Sequence, residues 1–154
     1  MMPRMEEGAN WLSQEQQEIW RSWLSGVARI NQHLDADLRR RGLDLAEYEI
    51  LVSLSEAEGR RLRMSDLAQQ VHQSRSRLTH AIARLEQRGI VRRTSANDDR
   101  RGVYAHLTDE GFAVLEDAAP SHVNAVREIF VDRTDPDDFR ALGRIMQAVL
   151  EERP

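Results

Sequence analysis

Arg75, Ser76, Arg77 and His80 are of the types that read nucleic-acid bases, and they fall within six residues of one another. An arginine presents a planar fork that matches guanine O6 and N7, while serine and histidine can serve either bases or phosphates. Such a set does recognition chemistry rather than catalysis, because it contains no nucleophile paired with a base. Thr79 and Arg84 stand on the flanks of the group, where they suit phosphates better than bases. The free amides of a helix start near Ser74 would add a further phosphate site.

These residues need a helix to present them. From about Ser74 to Arg88 the apolar residues Leu78, Ala81, Ile82 and Leu85 share one helical face, and Gly89 supplies a natural stop. At about 100° per residue the opposite face carries Ser76, Arg77, His80, Ala83 and Arg84. A shorter helix precedes it, with Ser65 as its cap and Leu67, Ala68 and Val71 facing inward, and His72-Gln73 makes the turn between the two. Two helices joined in this way form a helix-turn-helix, although an ordinary helical hairpin with a solvated face has the same pattern.

The segment after the second helix is more specific. Residues 90–94 are β-prone, residues 95–102 carry turn chemistry, and Val103, Ala105 and Leu107 alternate onto one side of a second strand. A hairpin with a charged tip directly after a recognition helix is a wing, suited to lie along a phosphate backbone or to push an Arg into a minor groove. The charge distribution agrees. Residues 60–101 hold eleven of the 22 basic residues but only four of the 26 acids, so this stretch is net +7 and the remainder net −11. A basic island in an acidic chain points to a polyanion met by one face.

The run SRLTHAIARLEQRGIVRR followed by NDDRRGVYAHLTDEG resembles the MarR family of bacterial winged-helix regulators. The likeness includes that family's Asp-any-Arg wing motif, here Asp99-Arg100-Arg101, and the Leu-Thr-Asp-Glu-Gly opening of the next helix. It is strong over residues 65–111 and extends in pattern over about 10–152. The resemblance implies that Arg101 enters or borders the minor groove, with Asp99 orienting it and Arg100 as a neighbouring contact. It also implies a homodimer that reads double-stranded DNA as a palindromic operator, represses by occlusion and is released by a small aromatic or phenolic effector. The cysteine-based peroxide sensors of that family are excluded, because the chain has no Cys.

Other features bound the rest. With 154 residues the chain suits one domain, and no apolar run or leader pattern marks a membrane or export segment, which predicts a cytoplasmic protein. Residues 1–10 read as a flexible tail, and 11–154 as one domain. Within it, 11–42 and 109–154 are dimerisation helices and 43–108 form the DNA-binding lobe. A long helix opens at Ser13, boxed by Gln16, and ends near Arg41-Gly42; a second opens at Asp44, boxed by Glu47. Leu62 falls in a short strand that joins the wing sheet. Thr108 caps a helix carrying Phe112, Leu115, Ala119, Val123, Val126 and Phe130, interrupted and bent at Pro120. Asp135-Pro136 opens the last helix.

The expected fold class is therefore mainly α with a small β wing, a winged helix-turn-helix flanked by long N- and C-terminal helices. Apolar faces at both ends favour pairing of two chains over packing on the lobe alone. Trp11, Trp20 and Trp23, with Arg21 beside them, form a candidate effector site, though Trp20 and Trp23 as dimer-core aromatics with Arg21 on the surface is the simpler reading. His33 and Asp37 lie one helical turn apart, but a surface pair explains them better than a metal, and no cofactor is expected. The five His are scattered and no Gly-rich phosphate loop is present, which argues against an enzyme. A winged helix serving only protein contacts is the alternative, but it would not need Arg at the groove-facing positions or the wing tip.

Overall fold

The computed structural model describes residues 8–95 and 102–152. Its elements run α1 (Gln14–Arg39), α2 (Leu45–Glu56), β1 (Arg61–Arg63), α3 (Met64–Gln70), α4 (Arg75–Gln87), β2 (Val91–Ser95), β3 (Val103–Leu107), α5 (Asp109–Ile129) and α6 (Pro136–Leu150). Short 3-10 turns precede β1 and follow α5. The fold is mainly helical with a small antiparallel sheet ordered β1-β3-β2, a winged helix-turn-helix between long terminal helices.

Local capping sets most boundaries. Ser13 Oγ accepts from Gln16 N at 3.1 Å while Gln16 Oε1 accepts from Ser13 N at 2.9 Å. Asp44 and Glu47 repeat the device at the start of α2. At the end of α4, Gly89 takes φ 73°, so Ile90 N can donate to Leu85 O at 3.0 Å. His72 makes the same closure after α3 with φ 54°, a conformation that costs a non-glycine residue and is held by Gln73 N donating to Ala68 O at 3.1 Å. This turn fixes the angle between α3 and α4.

The core lies under the sheet. Ile50, Leu51 and Leu54 of α2, Leu67 of α3, Leu78, Ile82 and Leu85 of α4, and Ala105 of β3 are fully buried. Pairing of Leu62 with Ala105 and of Val91 with Leu107 turns these four side chains toward the helices. Val103, which strand alternation places on that side too, pairs with Ser95 at the far end of the hairpin, beyond the core, and is exposed.

Three expectations are corrected. The first helix of the helix-turn-helix begins at Met64, not Ser65, and Arg63 holds the cap position without a side-chain cap. Pairing of Arg63 with Tyr104 keeps the backbone extended up to that point, and burial of Met64 fixes the start. Helix α5 runs through Pro120 without interruption, and just after it Ser121 Oγ donates to the Asp37 carboxylate of α1 at 2.8 and 3.0 Å and the His122 ring packs 4.2 Å from the Tyr48 ring. The buried face of α5 is also rotated from the expected row: Gly111, Leu115, Ala118 and Ala125 are buried, whereas Val123 is 54% exposed.

Two contacts join the wing and α5 to the recognition helix. Glu86 of α4 accepts from Arg93 three times, through N at 2.9 Å, Nε at 3.1 Å and Nη2 at 2.9 Å. Thr108 Oγ1 caps α5 by accepting from Gly111 N at 3.0 Å, and its own proton reaches Gly89 O at 2.6 Å. Gly111 sits so close to the Ile90 carbonyl that a Cβ there would overlap its oxygen.

Gly111→Ala should therefore destabilise the protein by about 1–3 kcal/mol, the usual range for forced overpacking, and a thermal melt unchanged from wild type would refute the close approach. The Arg93 contacts, by side chain first and backbone second, hold the Glu86 carboxyl below its ordinary value of 4.5. A lowered folded-state pKa contributes stability that is present above the unfolded value and lost as pH falls through the folded one. The stability difference between wild type and Glu86→Gln, measured by denaturant titration, should thus be largest near neutrality and close below about pH 4.5.

Candidate nucleic-acid interface

The Ser74 hydroxyl caps α4 by accepting from Arg77 N at 3.2 Å. The backbone N–H groups of Arg75 and Ser76 have no partner within the helix and point out of its first turn, where the macrodipole is positive. Arg75, Ser76, Arg77, Thr79 and His80 are all exposed on this half of the helix. Thr79 Oγ1 donates to Arg75 O at 2.8 Å, which leaves its lone pairs facing outward.

Ion pairing divides the arginines of the basic island into two groups. Arg60 pairs with Asp109 at 3.6 Å, Arg88 with Glu47 at 3.8 Å and Arg93 with Glu86 at 2.9 Å. Arg84, given to phosphate on its sequence position, joins this group: its Nε lies 3.4 Å from Glu47 and its Nη2 3.9 Å from Asp44. Glu47 is only 6% exposed, and a buried carboxylate draws the cations around it. Among the described residues, Arg75 and Arg77 of α4 and Arg61 and Arg92 of the sheet have no carboxylate within ion-pairing distance. Cations without an internal partner are those free to meet an external anion. Sequence reading singles out the first two and not Arg61 or Arg92, although their spacing of two from Arg63 and Thr94 in β-prone runs is a usable signal. Asp99, Arg100 and Arg101 lie outside the described residues.

Beside the exposed face of α4 is an open cleft of about 710 Å³, closed by α1 and the start of α2. Asp35, Arg39, Glu49, His72, Arg77 and His80 line it. The Leu45 N–H, and then Arg39, hold the Asp35 carboxyl below the usual range, so this pair is internally satisfied. Burial pushes the Glu49 carboxyl up, and His72 partly offsets it.

Of the candidate effector residues, Trp11, Trp20 and Arg21 come together with Leu12 and Gln17 around a shallow pocket of about 250 Å³. Trp23 does not line it, and Arg21 Nη2 donates to Gln17 Oε1 at 3.3 Å. His33 faces Glu128 at 3.9 Å while Asp37 is occupied by Ser121. Among the described residues no helix is long and apolar enough to cross a membrane.

Comparison with known proteins places this geometry. The MarR family model matches residues 43–103, from the start of α2 to β3. The regulator PecS of Dickeya dadantii is 31% identical over 128 residues, covering 80% of this chain and 77% of PecS. The MarR family regulator AbsC of Streptomyces coelicolor is 42% identical in its crystal structure, with a TM-score of 0.86 over 92% of this chain and 95% of that one. Sco3205, another MarR family regulator from the same organism and solved in complex with DNA, is 45% identical, with a TM-score of 0.89 over 93% of this chain and 90% of that one. The chain belongs to the MarR family of transcriptional regulators, which are DNA-binding proteins and not enzymes.

Proposed function

We propose that two copies of this chain bind a palindromic duplex operator in the cytoplasm and repress transcription by occupying it. In this reading residues 43–108 form the DNA-binding lobe, and the flanking helices pair the copies. The observation that carries it is the exposed first half of α4, where Arg75 and Arg77 have no carboxylate partner among the described residues and stand beside Ser76 and His80. Arg77 and Arg75 take base edges in the major groove, Ser76 and His80 take bases or phosphates, and Thr79 and the amides after Ser74 hold the backbone. Arg84 reaches a phosphate only by loosening its hold on Glu47, so its part is to fix the helix. Arg101, supported by Asp99 and flanked by Arg100, works at the minor groove, by likeness to the family's wing motif. The solved complex of the similar Sco3205 with DNA supports this reading.

Pairing of two copies is supported by what the chain leaves uncovered. Ile19, Trp20 and Leu24 on α1 and Ile145, Val149 and Leu150 on α6 are large apolar side chains facing outward, and α6 has no buried residue. Such exposed apolar surface marks an interface in a soluble protein. The pocket of Trp11, Trp20 and Arg21 is suited to an aromatic carboxylate, whose ring would lie on indole and whose anion would meet guanidinium. A purely protein-binding winged helix would have no use for the exposed Arg75 and Arg77 of α4.

The deciding experiment is titration of the purified protein against duplex DNA from upstream of its own reading frame, over a salt series. Tight binding that falls steeply with salt and withstands competition by random DNA is expected; binding no tighter than to random DNA would reject this operator reading. Arg77→Ala should cost about 1–3 kcal/mol of discrimination at one base pair and leave other positions unchanged. Arg101→Ala should instead weaken binding to every sequence alike and lower the salt slope by about one. An Arg101 variant with the wild-type slope would remove the wing from the interface.

A further inference from the structure

The three strands of the sheet expose a second group of cations, away from the recognition helix. Register sets Arg61, His106 and Arg92 in one row across β1, β3 and β2, and Arg63, Tyr104 and Thr94 in the next. Strand alternation puts both rows on the face opposite Leu62, Ala105, Leu107 and Val91, which pack on the helices. Arg61 and Arg92 are exposed there, and neither has a carboxylate within ion-pairing distance among the described residues. Between them His106 is disfavoured in its charged form, first by burial and then by Arg92 and Arg61, and its Nε2 lies 2.6 Å from Thr94 Oγ1. The row is therefore positive at both ends with nothing of opposite sign between.

We propose that this outward sheet face, through Arg61 and Arg92, binds the phosphate backbone of duplex DNA flanking the sequence read by α4. The inference rests on the operator reading and extends its footprint. Charge complementarity and continuity with the reading helix point to this occupant: β2 follows α4 after three residues and is clamped to it through Arg93 and Glu86. The chemistry also selects backbone over bases. Tyr104 is the large aromatic ring of this face, and it already has Arg61 at 5.2 Å and Arg63 at 5.4 Å from its centroid, with Arg63 Nε donating to its hydroxyl at 3.2 Å. A ring occupied in this way is no stacking platform for the bases of a single strand. Adjacent strands are about 4.8 Å apart, so Arg61 and Arg92 start about 10 Å from each other. A DNA strand carries a phosphate about every 3.4 Å of its axis, so the two side chains meet different phosphates.

The test uses the full chain and two duplexes. One spans only the base pairs whose change weakens binding; the other adds about ten base pairs, one helical turn, of unrelated sequence at each end. Wild type should bind the longer duplex more tightly, with a salt slope steeper by about one for each arginine engaged. The double variant Arg61→Ala/Arg92→Ala should lose that increment and bind the trimmed duplex as wild type does. If the alanine pair lowers the melting temperature, Arg61→Gln/Arg92→Gln, which keeps the side-chain stems, is read in its place. A wild type indifferent to the added length, or a variant equally impaired on both duplexes, overturns the sheet-face contact while leaving the operator reading intact. A wild type with no preference for any sequence overturns both.

Discussion

Glu47 is the residue on which the geometry of the reading helix depends. Its backbone N–H is capped by Asp44 while its carboxylate accepts from Asp44 N, which sets the start of α2. The same carboxylate, buried, draws Arg84 of α4 and Arg88 at its C-cap. A carboxylate removed from water must be met by donors, and these donors lie on the helix that approaches DNA. The tilt of α4 over the core is thereby tied to the first turn of α2. The apolar stripe of Leu78, Ile82 and Leu85 fixes which face is inward, and the ion pairs of Arg84 and Arg88 fix how α4 sits along α2.

Arginine accordingly does two jobs in one short stretch. Arg60, Arg84, Arg88 and Arg93 hold helix, sheet and wing together, each against a carboxylate. Arg75, Arg77, Arg61 and Arg92 are exposed and meet no carboxylate among the described residues. The acids that balance the chain lie mostly outside residues 60–101, so the positive charge is concentrated in this stretch.

Much of this is legible in the sequence, and the limits have a physical pattern. The starts of α1, α2, α4, α5 and α6 are readable because a cap is a contact over two or three residues, which spacing alone encodes. The inward stripe of α4 is readable because four apolar residues fit a single helical face. The start of α3 is misread at Ser65 because strand pairing of Arg63 with Tyr104, forty-one residues further along the chain, overrides local cap preference. The face of α5 is misread because small residues, Gly111, Ala118 and Ala125, make the close contacts while the larger Val123 points outward. The role of Arg84 cannot be read from its position, since a cation on the flank of a helix looks the same whether its partner is a phosphate or a buried Glu47.

The Arg93–Glu86 clamp looks as though it sets how β2 lies against α4, yet its neighbour is also an arginine. Sliding β2 by one residue would bring Arg92 to Glu86 with the same fork of donors, so the ion pair is degenerate between two alignments. What breaks the tie is Val91, fully buried in the observed alignment, which that slip would turn to solvent in the place Arg92 now holds. The choice of which cations point outward on the wing is therefore made by one apolar side chain and not by any charge.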